Sequence, residues 1–290
     1  MMRLLNLIKN PSYQGTAWAA ISCFSVTMSL AISKYLVAYI NPFSLVMLET
    51  CLCLLIMLCV KYYRHEKLFL PNASKKFYVV RAILRYVTLL LWTYLLPILP
   101  LNALVTIGFV IPLLVVILAR ILLKEVVNVK TYAAIILGCL GVVLALQPNF
   151  ENSKFYLILA FIAAIVAAFS EILTKHQAMK NKLADQLLYS FWYAALLSLP
   201  LGVLNFTPLP LSLWPIVGAA GITFFISTLT MFRALRLVPI SFIKPIDYSK
   251  LVFSAFVGYV AFGEVMTMPM FLGSLLIVSN SVLLIRKAAT

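Results

Sequence analysis

Glu49, Arg85, Glu171, Lys244, Asp247 and Lys250 lie deep inside apolar stretches long enough to cross a bilayer. Each charge costs at least about 2.5–3.5 kcal/mol at a helix centre in lipid, so three acids and three bases placed there mark a polar pathway through protein. Asp247 stands three residues after Lys244 and three before Lys250, a spacing that lets both lysines lean toward it on a helix surface. The chemistry of that turn is a grip on a solute carrying both charges, such as an amino-acid zwitterion. Its alternative is a structural ion pair at a helix contact. Pro245, inside the same turn, leaves the Ser241 carbonyl without its usual helical donor.

The other charges each have two readings. Glu49 suits proton coupling or a cationic substrate, or else a static pair with Arg85 or a lysine of the Lys244–Lys250 turn. Glu171 lies one turn before Thr174 and Lys175, so it lines a cavity or pairs with Lys175. Arg85 shares a helix face with Thr88 and Trp92, by spacings of three and four. Trp92 there offers a ring face to a cation or an aromatic group, unless Arg85 snorkels to the membrane edge. Ser22, Ser25, Ser29 and Ser33 form one small polar stripe, and Thr223, Ser227 and Thr230 another; such stripes are more often helix-packing surface than ligands. Tyr189, Trp192 and Tyr193 shape an aromatic wall or pack against lipid and core.

These residues need spans to hold them. The chain of 290 residues is 64% hydrophobic and 11% charged, with a mean hydropathy of +1.06, where a soluble domain carries roughly a quarter charged residues. Ten apolar segments of spanning length fall in 16–38, 43–60, 80–97, 101–123, 129–147, 155–176, 185–204, 213–235, 240–262 and 267–285. Proline and asparagine mark the breaks, at Asn41-Pro42, Pro97 to Pro100, Gln147-Pro148-Asn149, Pro208 to Pro210 and Pro239. The runs do not alternate as barrel strands do. Apolar sequence from Gly15 has no small-residue cleavage site, which predicts an uncleaved first span.

Of the 23 Lys and Arg, eighteen fall on the side of the N-terminus, Lys61, Arg81 and Lys175 among them. Two (Lys34, Lys154) fall on the other side and three (Arg85, Lys244, Lys250) within spans. Basic residues gather in cytoplasmic loops, so the asymmetry predicts both ends in the cytoplasm. It also accounts for the excess of base without invoking nucleic acid.

The stretch from Leu99-Pro100 to Lys124-Glu125 lines up with that from Val238-Pro239 to Gly263-Glu264. In each a proline opens a long apolar helix and a glutamate closes it, which predicts that Glu125 and Glu264 close or bridge helix ends. Five helices per half is odd, so the expected fold is an all-α integral membrane protein of ten transmembrane helices in two inverted five-helix repeats, 1–147 and 148–290. A substrate site is expected at their interface near the midplane.

Two halves that each end in helix–Glu–helix resemble the EamA-type branch of the drug/metabolite transporter superfamily. Pro245-Ile246-Asp247-Tyr248-Ser249-Lys250-Leu251-Val252, followed by Phe262-Gly263-Glu264, is similar to that branch's ninth helix. Ser33-Lys34-Tyr35-Leu36, Trp92-Thr93-Tyr94, Ile111-Pro112-Leu113 and Leu146-Gln147-Pro148 look like the S-adenosylmethionine uptake subfamily. That pattern carries arginine where this chain has Glu49 and Asp247, and an acid where it has Lys250, a reversal able to change the cargo.

The resemblance implies a secondary transporter by alternating access, exchanging solutes or coupled to a proton, in the bacterial inner membrane. Its cargo would be an amino-acid-like metabolite or S-adenosylmethionine, bound by Glu49, Arg85, Trp92, Glu171, Lys244, Asp247, Tyr248 and Lys250. Efflux of a similar metabolite is the alternative. A lipid-modifying enzyme would need a clustered His/Asp or metal-ligand set, and none is evident; the five cysteines all fall in spans, and His65 and His176 have no ligand at metal spacing. No Walker loop or dinucleotide fingerprint occurs, so no cofactor is expected. Partners are the small-molecule substrate, the bilayer and a proton or counter-substrate.

Overall fold

Proline opens most of the helices, because its fixed φ suits the first turn and its missing N–H would be unpaired there anyway. Helix α1 (Pro11–Leu36) begins on Pro11, and α2 (Pro42–Tyr63) on Pro42, behind Asn41, whose side chain accepts from the Phe43 N–H at 3.0 Å. Helix α3 is Lys75–Leu95, and α4 (Ile111–Leu122) carries Pro112 in its first turn. Helices α5 (Lys154–Lys180) and α6 (Leu183–Leu204) follow; a short 3-10 turn, Leu211–Leu213, leads into α7 (Trp214–Leu237). Behind Pro239 come α8 (Ile240–Ile243), a 3-10 segment at Lys244–Tyr248, and α9 (Ser249–Phe262).

The computed structural model describes residues 11–66, 75–95, 97–99, 107–129, 131–133, 135–137, 140, 154–180, 182–262 and 268. Among these there is no strand, and six helices are long and apolar enough to cross a membrane. Six of the expected spans thus appear as helices within a few residues of their sequence bounds. The fourth is described from residue 107 onward. Most of the fifth and nearly all of the tenth, with Glu264, Cys139 and the Leu146-Gln147-Pro148 segment, lie outside the described residues.

Neighbouring helices run antiparallel along three long contacts. On α1 and α7, Gly15 meets Val238, the Ser22 hydroxyl donates to the Ser227 carbonyl at 2.9 Å, and Ser29 reaches the Ala220 carbonyl at 3.4 Å. On α2 and α6, Ser44 donates to the carbonyls of Gly202 and Asn205, Thr50 bonds Ser198 at 2.9 Å, and Lys61 meets Asp185 at 2.5 Å. On α3 and α5, Phe77 lies against His176 while Trp92 packs beside Ala160 and Ala164. Helix α4 packs on α5, α9 on α1, α2 on α7 and α3 on α6.

The buried faces are small, with Ala19, Ala164, Ala168, Ala220 and Gly221 among them, whereas Leu55, Ile158, Leu196 and Ile222 point outward. Lipid is as apolar as leucine, so close backbone approach and interhelical hydrogen bonds hold such helices together. The serine stripe of α1 and Ser227 of α7 serve that packing.

Gly202 tests how tight the α2–α6 contact is. A Cβ there would lie 2.4 Å from the Met47 Cβ, whereas one on Gly218 meets nothing within 4 Å. Gly202→Ala is expected to cost about 1–3 kcal/mol through overpacking. Gly218→Ala should be neutral or gain about 0.5–1 kcal/mol from helix entropy. The melting midpoints of the two variants in detergent check this; equal midpoints would refute it.

Candidate functional site

The ninth span is helical throughout but winds tightly as a 3-10 segment over Lys244–Tyr248, where the apolar run alone predicts ordinary α-helix. Pro245 removes a backbone donor, and the 3-10 form results. In that form side chains three residues apart eclipse each other, so Lys244, Asp247 and Lys250 stack on one face. The Lys244 Nζ lies 2.6 Å from Asp247 Oδ2, and the Lys250 Nζ 3.4 Å from Asp247 Oδ1. From α1, the Cys23 thiol reaches Asp247 Oδ1 at 3.5 Å.

Glu171 enters from α5 and pairs with Lys244, not with Lys175. Lys175 instead donates to the carbonyls of Leu235 and Val238, at 2.6 and 2.7 Å, tying α5 to the end of α7. Lys244 therefore sits between two carboxylates with its side chain 1% exposed. Glu171 and Lys250 keep about a third of theirs open, at 31% and 33%. Arg85 on α3 is exposed, within electrostatic range of Glu171, and its guanidinium lies 5.6 Å over the Phe224 ring. Trp92, on the same face of α3, packs beside Gly108 and the Leu95–Ala160 cluster and stays partly exposed. Tyr248 stacks on Phe109, with ring centroids 5.4 Å apart, and its hydroxyl donates to the Phe109 carbonyl at 3.2 Å.

Glu49 stands apart from these charges. Its Oε1 accepts from the Ser33 hydroxyl at 2.7 Å, and among the described residues no cation pairs with it. The expected pair with Arg85 or a ninth-span lysine is thus replaced by a hydroxyl, because α1 lies against that part of α2. Ser33 is the member of the α1 stripe that does more than pack.

Three basic residues read as cytoplasmic surface markers, Lys61, Arg81 and Lys175, are buried and engaged in the protein. Asp185 was not singled out; as one of only 8 acids, at the start of a span, it was the signal available for the Lys61 pair. Phe109 could have been found from the repeat, since it precedes Tyr248 by 139 residues, the repeat offset. Glu125 does close a helix end. Lys124, at φ 54°, turns the chain after α4, and the Glu125 carboxylate accepts from the N–H groups of Ile240 and Ser241, both at 3.1 Å, and from the Ser241 hydroxyl at 2.7 Å. That satisfies donors a helix start leaves orphaned.

The arrangement offers a solute two accessible cations, Arg85 and Lys250, and one partly accessible carboxylate, Glu171. The EamA-like transporter family matches this sequence twice, over residues 14–147 and 154–286. The chain belongs to that family. An S-adenosylmethionine uptake transporter of Rickettsia felis is 28% identical over 255 residues, 86% of this chain and 85% of that protein. One of Rickettsia conorii is 27% identical over 278 residues, 93% and 92% of the two chains. A crystal structure only 17% identical superposes with a TM-score of 0.78 over 96% of this chain and 99% of that one, a likeness of fold.

As an EamA-family member the chain is a multi-pass membrane transporter of small metabolites, not an enzyme.

Proposed function

We propose that this EamA-family protein carries an amino-acid-headed metabolite, with S-adenosylmethionine as the first candidate, by alternating access between two inverted halves, 1–147 and 148–290. The observation that carries the cargo reading is the division of charge at the tight turn. Lys244 and Asp247 are buried and occupied by each other, while Lys250 and Arg85 face outward beside the half-open Glu171. A carboxylate suits the two cations and an ammonium suits Glu171. A sulfonium would meet the partly exposed ring of Trp92. The name of the Rickettsia relatives supports the same choice.

Helix pairing supports the inverted halves. Exchanging α1 with α5, α2 with α6, α3 with α7 and α4 with α9 turns the α1–α7 contact into α5–α3, α1–α9 into α5–α4 and α2–α7 into α6–α3. The equivalents α2 and α6 run antiparallel against each other, and equivalents Phe109 and Tyr248 stack, as a two-fold axis in the membrane plane requires. Basic loops favour both termini in the cytoplasm, with the protein in an inner membrane. Glu49, bonded to a hydroxyl and not to a cation, is the group suited to a coupling proton; a counter-substrate on the same charges would serve exchange.

The test is calorimetric binding of S-adenosylmethionine to the purified full chain, beside Arg85→Gln and Lys250→Gln. Each variant is expected to weaken binding about 10- to 100-fold, the loss of a hydrogen bond to a charged group. No binding of S-adenosylmethionine or methionine, or affinity unchanged in both variants, would refute the assignment.

A further inference from the structure

One turn from Arg85 along α3, toward the Lys61–Asp185 pair, lies a second group of buried polar side chains, of which Gln186 donates its Nε2 to the Thr174 carbonyl at 3.0 Å. Arg81 is 3% exposed, Tyr78 2% and Gln186 0%. The Arg81 Nε, the Tyr78 hydroxyl and the Gln186 Oε1 are buried with no hydrogen-bond partner. One Arg81 nitrogen makes a long contact, 3.5 Å, with the Gln186 carbonyl, and the guanidinium lies 5.2 Å over the Phe232 ring. Tyr78 stacks obliquely on Tyr189, ring centroids 4.7 Å apart. Asp185, next in sequence to Gln186 and the acid of this neighbourhood, is held by Lys61 at 2.5 Å.

Among the described residues the group therefore carries one more buried positive charge than negative. Buried charges are ordinarily paired, and buried polar atoms ordinarily bonded. An Arg fork matches a carboxylate with two parallel hydrogen bonds, and a tyrosine hydroxyl beside it supplies a third. Packing alone does not call for a guanidinium here, since an apolar side chain would fill the space between Phe232 and α6 without stranding polar atoms.

We infer that Arg81, with Tyr78, forms a second, transient site for the carboxylate of the transported solute. It lies one helical turn beyond Arg85 on α3 and is closed in this conformation by α6. The inference rests on the proposed cargo. Arg85 and Arg81 are then successive holds, the first on the solute bound at the charged turn and the second on the solute leaving it as α3 and α6 part. Because the second hold is made after binding, it governs the rate of passage and not the affinity of the resting protein.

The experiment uses the full chain in liposomes and two probes, S-adenosylmethionine and its decarboxylated form, which keeps the sulfonium and the amine. Arg81→Gln should slow saturated uptake of S-adenosylmethionine about tenfold or more, the loss of one charged hydrogen bond. It should leave the Kd of S-adenosylmethionine unchanged and uptake of the decarboxylated probe near wild type, and Arg81→Lys should restore most of the rate. Equal slowing of both probes, as for a packing or water-holding role, would overturn the site, as would no slowing of either. If Arg81→Gln does not fold, Tyr78→Phe removes one hydroxyl and must show the same selectivity between the probes. Failure of S-adenosylmethionine to bind the wild-type protein would overturn the cargo assignment, and the inference with it. Normal binding without probe selectivity overturns the inference alone.

Discussion

Lys244→Met is expected to lower the melting midpoint more than any other single change at the charged turn, and to abolish solute binding. The ammonium holds Asp247 Oδ2 at 2.6 Å and also Glu171, with its side chain 1% exposed. Its removal leaves Asp247 and Glu171 facing one another, with only the part-exposed Lys250, at 3.4 Å, still on Asp247. Breaking a buried pair by deleting one partner costs about 3–5 kcal/mol, because the survivor keeps the desolvation penalty without the attraction. Two survivors of the same sign add their repulsion. Neutralising the other three groups by Lys244→Met, Asp247→Leu and Glu171→Gln should then bring the midpoint back toward wild type, since apolar replacement of a buried ion pair is often neutral and Lys250, a third exposed, can stay solvated. Binding should not return, because Glu171 is one of the contacts. A single variant that melts like wild type would show that the two acids lose little when the lysine goes. A triple variant as unstable as the single one would show that the lysine acts through its bulk.

Lys61→Met is the second large effect. Lys61 and Asp185 meet at 2.5 Å with side chains 1% and 6% exposed, tying α2 to α6. The contact runs from there through Thr50–Ser198 to Ser44–Gly202, so a rupture at one end loosens the pairing of the two halves. Either Lys61→Met or Asp185→Leu alone is expected to cost about 3–5 kcal/mol, and the two together much less than their sum. A thermodynamic cycle on the midpoints reads the coupling directly, and additive effects would dismiss the pair as a tie. Calorimetric affinity for S-adenosylmethionine should survive in the double variant, because neither residue belongs to the charged turn. That separates this pair from Lys244, where stability and binding fall together.

What the amino-acid sequence determined by itself was local. Spans follow from runs of apolar residues, and their ends from Pro42, Pro112 and Pro239, because a bilayer demands about twenty apolar residues and a proline acts on its own turn. The pairing of Asp247 with Lys244 and Lys250 was legible for the same reason: the three are held at fixed spacing on one helix. The repeat exposed Glu125 as a helix-closing residue, since a matching position in two halves implies a matching task.

Only the tertiary structure decided which partner each charge takes across helices. Glu171 had Lys175 one turn away, yet the rotation of α5 turns the lysine to the carbonyls of Leu235 and Val238 and the carboxylate to Lys244. Glu49 meets Ser33 of α1, ten residues along that helix from Cys23, which touches Asp247. Lys61 and Asp185 are 124 residues apart, and Arg81 looked like a loop-side base until α6 closed over it. Composition sets how many charges enter the membrane. The depth and rotation of one helix against the next, properties of packing that no single stretch of sequence carries, set which of them meet.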